Sequence, residues 1–210
     1  MLGIHHYWLF IATAIVLVLT PGQDTFFILG RSLAGGRSAG IAAALGITCG
    51  SVIHTLLAAL GLSALLATSP SAFMAVKFAG AAYLIYIGVR ALLSRAQGLP
   101  GADTRNAGAG DWPAFRQGIV SNLLNPKVAL FFLALMPQFI SAGSDNKVGA
   151  FLVLGLSFVT LGLAWCTTLA IGAAYLRRAF LRRPSLATWM NRVAGTMFIA
   201  LGLRLATARQ

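Results

Sequence analysis

Apolar segments long enough to cross a lipid bilayer follow one another along almost the whole chain. A transmembrane helix needs about 17–25 predominantly apolar residues. The sequence contains about six such stretches with short connections between them. They cover residues 7–29, 40–67, 73–89, 118–140, 148–176 and 186–203. Each backbone polar group must be bonded within the protein when it lies in hydrocarbon, and a helix achieves this on its own. The sequence therefore predicts an all-α integral membrane protein.

Composition and charge agree with this class. Hydrophobic residues make up 58% of the chain and charged residues 10%, which is far from the composition of a soluble domain. The net charge of +12 could indicate a nucleic-acid partner, but the basic residues do not form a patch with stacking aromatics. They lie instead in or beside every second connection between the predicted spans. These residues are Arg31, Arg37, Arg90, Arg95, Arg105, Arg116, Arg177, Arg178, Arg182 and Arg183. The positive-inside rule then puts those connections in the cytoplasm and both termini outside it.

The two halves of the chain repeat each other. Each half contains a proline followed by four residues and two phenylalanines, beginning at Pro21 and at Pro126. The segments 40–46 and 149–155, and then 77–83 and 192–198, match in the same order. A duplicated unit with an odd number of spans enters the membrane from opposite sides, as in many secondary transporters. We therefore expect two inverted three-helix repeats, residues 1–93 and 115–210, joined by a cytoplasmic linker at 94–114 that is rich in glycine and proline.

The matching prolines predict breaks in the first and fourth transmembrane helices. Thr20 and Asn125 are residues that cap helix N-termini, and Pro21 and Pro126 then stand at the first helical position, where the N–H that proline lacks is not needed. Each of the two spans would consist of two half-helices, whose free N–H groups near the bilayer midplane suit an anionic group. A simple proline kink is the alternative.

Asp24 is the one acidic residue within a predicted span, and Ala129 stands at its place in the second repeat. A charge at mid-membrane costs about 2.5–3.5 kcal/mol or more, so such residues are functional candidates by default. The alternative is that Asp24 only caps the broken helix. Lys127, beside the second break, is the other candidate, and its alternative is an ammonium group that reaches the membrane surface.

Several segments together resemble the LysE/RhtB family of bacterial amino-acid exporters. They are PGQDTFFILGRSLAGGRSAG from Pro21, ALGITCG from Ala44, VKFAGAAYLIYIG from Val76, NLLNPKVALFFLALMPQF from Asn122, and AGTMFIALGLRLA from Ala194. The family usually has proline at the position of Gln23. The resemblance implies a multi-pass protein of the bacterial inner membrane that exports small amino acids or their analogues, driven by the proton gradient. The carried amino acid and the oligomeric state stay open, and a homo-oligomer is compatible with the pattern.

These observations lead to one hypothesis for the binding site. Asp24 takes the substrate ammonium group or a proton, while Lys127 and the first N–H groups of the second half-helix, residues 126–128, take the carboxylate. The surrounding candidates are Thr20, Pro21, Gly22, Asn125 and Pro126, with Gln23, His54, Asn122 and Gln138 as secondary ones.

Two other functional classes compete with a transporter. An intramembrane enzyme would have to use Asp24 with His54, the one conceivable acid–base pair, and a passive channel would carry small polar solutes without coupling. The sequence offers no set of ligands with metal spacing and no phosphate-binding loop, so neither a metal nor a cofactor is expected. The expected partners are an amino acid, protons and lipid, with no nucleic acid.

Overall fold

The computed structural model describes residues 2–64, 70–93, 110–141 and 143–182, together with scattered helical positions between 189 and 207. Its helices are α1 (Tyr7–Leu19), α2 (Gln23–Leu57), α3 (Pro70–Leu93), α4 (Asp111–Leu123), α5 (Pro126–Leu130) and α6 (Lys147–Arg182). A wider turn at Ala58–Leu62 extends α2, and a wide turn at Phe131–Leu135 followed by a tight one at Met136–Phe139 extends α5. An isolated bridge between Ile4 and Ile140 is the sole β pairing in the described part of the chain. The all-α prediction is confirmed.

The described residues contain two segments that are long and apolar enough to cross a membrane, Gln23–Leu62 and Lys147–Ala173. The pair formed by α4 and Pro126–Phe139, bent by 47°, makes a third when it is counted as one broken span. Long apolar side chains point outward along the helices, as lipid contact requires. Among them are Trp8, Leu57, Leu60, Leu93 and Leu124. The arrangement of six spans in two repeats stays a prediction, because half of residues 186–203 lie outside the described part.

A sharp reversal at Gly36 divides α2 into two parts. Gly36 has φ 78° and ψ −173°, a conformation that glycine adopts without the steric cost of a side chain. The reversal brings Ser32 into direct contact with Gly40, although residues eight apart in a straight helix are separated by about 12 Å. Residues 23–35 and residues 37–57 are therefore two separate helical parts that meet at Gly36.

Both parts of α2 pack closely against α4. A Cβ on Gly46 would collide with the backbone carbonyl of Phe115, and a Cβ on Gly118 would lie 2.6 Å from the carbonyl of Ala43. Small residues at such crossings let the helix backbones approach each other. Gly46 and Gly118 thus allow the close contact between α2 and α4.

The end of this helix pair near Gly36 differs from expectation in two ways. α4 begins at Asp111, which accepts a hydrogen bond from Ser38 Oγ, so the last residues of the expected linker are helical; residues 94–109 lie outside the described part. Arg31 is not in a connection but within α2, 8% exposed, where it donates to Gln117. An extended cationic side chain can be buried when its polar head is bonded.

The last described positions pack against α3 in the opposite direction. Gly88 approaches Gly195, and Gly202 approaches Ala81, with backbone atoms that a Cβ would meet at 2.6–2.9 Å. The third predicted span and the described part of the sixth thus run antiparallel and in close contact.

Candidate functional site

The two predicted helix breaks are present and adjoin each other. α1 ends at Leu19 and α2 begins at Gln23, while α4 ends at Leu123 and α5 begins at Pro126. Asn122 Nδ2 donates to Asp24 Oδ2 over 2.9 Å and so joins the two breaks. Asp24 lies about 18 Å along the helix from the reversal at Gly36, at about 1.5 Å per residue. This distance is a little more than half of the thickness of a hydrocarbon core, which is about 30 Å.

The second break begins as predicted. Asn125 is the N-cap of α5, its Oδ1 accepts from the backbone N–H of Lys127 over 3.1 Å, and Pro126 occupies the first helical position. The N–H groups of Val128 and Ala129 donate to the carbonyl of Asn125. The first N–H groups of this half-helix are therefore already bonded within the protein.

The first break is built differently, and the prediction that Thr20 caps the second half-helix is wrong. Thr20 ends α1 instead, because both its N–H and its hydroxyl donate back to the carbonyl of Val16, at 3.0 and 2.6 Å. A threonine hydroxyl readily bonds the carbonyl one turn earlier. Pro21 lies between the helices, and the N-cap of α2 is Gly22, which offers no capping side chain. The two breaks are therefore not equivalent.

Lys127 closes the C-terminal end of α1. Its ammonium group donates to the carbonyls of Leu17 and Thr20 at 3.0 and 2.9 Å. Those carbonyls have no partner within the helix, and the negative end of the helix dipole attracts a cation. Gly22 lies beside this contact, since a Cβ there would be in van der Waals contact with the Lys127 nitrogen, at 3.4 Å. Lys127 thus does not extend to the membrane surface.

Gln23 performs the reciprocal task at the other break. Its Nε2 donates to the backbone carbonyl and the hydroxyl of Ser121, both at 3.2 Å, near the C-terminal end of α4. Lys127 stands as many residues after Gln23 as Ser121 does after Leu17. The two donor side chains, and the two carbonyls that they contact, therefore occupy matching places in the two halves of the chain. Each break is therefore stabilised by a side chain that follows the break in the other half of the chain.

Asn122 is the centre of a small polar network. It is 1% exposed, and besides donating to Asp24 it accepts from Ser51 Oγ at 3.3 Å. His54 Nε2 lies 3.3 Å from the backbone carbonyl of Asn122, and its ring stacks on Phe132. His54 therefore reaches the network through the backbone of Asn122 rather than through Asp24.

A small, partly open cavity of about 40 Å³ adjoins this network. Asp24 and Thr25 from α2 line it, together with Lys127 from α5 and Trp165 and Cys166 from α6. Its apolar wall consists of Leu17, Val18, Ile47, Val128, Phe158 and Leu169. Room of this size suits one or two small groups but not a whole amino acid.

Two buried polar atoms of the cavity-lining residues have no hydrogen-bond partner in the described part of the chain, Asp24 Oδ1 and Trp165 Nε1. Trp165 is not among the site residues expected from the sequence, although its position in the sequence is unusual. Tryptophan in membrane helices concentrates at the interfaces, and this one stands in the middle of a long apolar helix. Gln138 also has a buried unbonded atom, but it lies in the tight turn after α5 and does not line this cavity.

The sequence profile of the LysE type translocator matches residues 15–209. The chain belongs to this family. A membrane protein of Vibrio cholerae serotype O1 is 36% identical to this translocator over 97% of its length and 98% of the relative's. The leucine efflux protein of Salmonella choleraesuis is 30% identical, and that of Klebsiella pneumoniae subsp. pneumoniae 29%, each over 98% of the translocator and 96% of the relative. No solved structure matches the chain.

Proposed function

We propose that this translocator exports leucine, or an apolar amino acid of similar size, across the bacterial inner membrane as a secondary transporter coupled to protons. Membership of the family and the names of the leucine efflux proteins support amino-acid export. The observation that carries the proposal for this chain is Asp24, whose Oδ1 is buried and has no hydrogen-bond partner among the described residues, beside a small cavity.

Asp24 has the chemistry to exchange a proton for an ammonium group. Its Oδ2 is held by Asn122, which fixes the carboxylate and leaves Oδ1 for a ligand. A protonated substrate amine is a strong partner for a buried carboxylate, and a charge left without one there is costly. In export, a proton arriving at Asp24 from outside displaces the ammonium group, and loss of that proton to the cytoplasm readies the site for the next substrate.

The apolar wall of the cavity suits an aliphatic side chain. Leu17, Ile47 and Leu169 contribute apolar side chains to this wall. Among the lining residues, the charged ones are Asp24 and Lys127. An apolar wall of this kind favours a branched aliphatic group but separates neighbours that differ by one methylene only about 10–200-fold. We expect leucine, isoleucine and valine to compete with one another.

Substrate enters only when the cavity opens, because about 40 Å³ is less than an amino acid occupies. The two helix breaks are joined by a small number of hydrogen bonds, which include those of Asn122 with Asp24 and of Gln23 with Ser121. Rocking of one half of the chain against the other around this point would open the cavity to alternate sides, as expected of inverted repeats.

Counterflow in proteoliposomes tests the proposal. Vesicles loaded with unlabelled leucine should accumulate external labelled leucine, and an imposed proton gradient should drive net efflux. Asp24→Asn should abolish the gradient-driven flux, whereas Asp145→Asn, the same change at an exposed residue, should not alter it. Gradient-driven transport by the Asp24→Asn protein would exclude the coupling role, and flux that needs no gradient and shows no counterflow would indicate a channel.

A further inference from the structure

Trp165 lines the same cavity as Asp24 but comes from a different helix, α6, and its indole N–H has no partner. We propose that Trp165 binds the substrate carboxylate, and that the pair formed by Trp165 and Asp24 selects α-amino acids over amines without a carboxylate. This inference rests on the proposed function, because it assigns the second charged group of the same substrate.

The donors expected from the sequence are already occupied. The ammonium group of Lys127 donates to the carbonyls of Leu17 and Thr20. The N–H of Lys127 donates to the side chain of Asn125, and the N–H of Val128 to its carbonyl. Using any of these for a carboxylate would break a bond that stabilises one of the helix breaks. The carboxylate therefore needs a donor elsewhere in the cavity wall.

The indole N–H of Trp165 meets this need. A buried donor without a partner is destabilising, and buried tryptophan usually satisfies its N–H. Here both the donor of Trp165 and the acceptor Oδ1 of Asp24 are unbonded. A ligand that contributes one acceptor and one donor, as an amino-acid zwitterion does, would satisfy both atoms at once.

Asp24 stands in the first turn of α2, where its negative charge meets the positive end of the helix. We therefore assign the carboxylate to the uncharged indole and not to this helix end. Because the indole is uncharged, it holds a carboxylate less strongly than a cation would, which suits a site that must also release its substrate.

Equilibrium binding to the purified full-length protein in detergent separates this role from a structural one. Titration calorimetry with leucine and with 3-methylbutylamine, which has the same side chain and amine but no carboxylate, gives a ratio of affinities for each variant. Trp165→Phe keeps an aromatic ring but removes the donor. We expect it to lower the leucine affinity about tenfold and to leave the amine affinity unchanged, so that the ratio falls about tenfold.

Two further variants complete the comparison. Trp8→Phe makes the same change at a residue that is 80% exposed and should leave both affinities as they are. Asp24→Asn should weaken leucine and the amine together. An unchanged leucine affinity in the Trp165→Phe protein, or equal losses for both ligands, would overturn the assignment of the carboxylate to Trp165. A wild-type protein that neither binds nor exchanges leucine would instead refute the proposed function itself.

Discussion

Asn122 donates to Asp24 across the meeting point of two broken helices, at 2.9 Å. Asn122 is itself held by Ser51 and is almost completely buried, so its amide cannot turn to water if the bond is lost. Asp24 is thus positioned by a residue from the other half of the chain.

Asn122→Ala should impair transport more than it impairs folding. The variant removes the donor to Asp24 and the acceptor for Ser51, which should lower the free energy of unfolding by about 1–3 kcal/mol. Asn146→Ala is the matched control, because Asn146 Oδ1 bonds the N–H of Gly149 at the start of α6 and loss of such a cap costs about 1 kcal/mol. Thermal unfolding and leucine counterflow should show comparable Tm changes but loss of transport only for Asn122→Ala. Full transport by that variant would refute the positioning role.

Lys127→Met should lower stability without a selective effect on substrate affinity. The methionine leaves the carbonyls of Leu17 and Thr20 without their charged donor, and buried polar groups left unbonded are costly. Lys147→Met makes the same change where the ammonium group bonds only the loop carbonyl of Ser144, so its Tm should change little. Thermal unfolding in detergent and the concentration dependence of counterflow measure the two effects. A stable Lys127→Met protein with weakened leucine binding would indicate that Lys127, and not Trp165, binds the substrate carboxylate.

Gln23→Pro should destabilise the protein less than a proline substitution within a helix usually does. Gln23 occupies the first position of α2, where no N–H is needed, and Gly22 before it is extended, with φ −162° and ψ −165°. Both conditions suit proline, which is also the usual residue of the family at this position. The variant loses the bond to Ser121, as Gln23→Ala does, so the two should share any change in transport. We expect counterflow by Gln23→Pro to equal or exceed that of Gln23→Ala. A much lower Tm for the proline variant would contradict the geometry of this break.

Gly46→Ala should destabilise the protein by about 1–3 kcal/mol, because the added methyl group collides with the backbone of Phe115 and the helices must separate. Gly61→Ala is the control, since a Cβ there meets nothing within 4 Å and alanine is favoured over glycine in a helix. Unfolding temperatures of the two variants should therefore change in opposite directions. Equal values would show that α2 and α4 do not need their close contact.

The features of the fold that can be predicted from the sequence are those that depend on local properties of the chain. Apolar length marks the spans, and the missing N–H of Pro126 together with the side chain of Asn125 marks the start of a half-helix, because these effects act within one turn of chain. Thr20 shows where such reasoning fails. The same residue type can begin a helix or end one, and here the carbonyl of Val16 competes successfully for its hydroxyl.

The candidate site divides in the same way. The sequence by itself determined that this is a helical membrane protein with breaks near Pro21 and Pro126 and with one acid, Asp24, inside a span. Only the tertiary structure decided that Lys127 stabilises the end of α1 and that Trp165 lines the cavity beside Asp24. These contacts join residues about a hundred or more positions apart, and no local pattern encodes which distant helix will supply a donor. Burial makes each unbonded polar atom costly, so the partners are selected by packing across the whole protein.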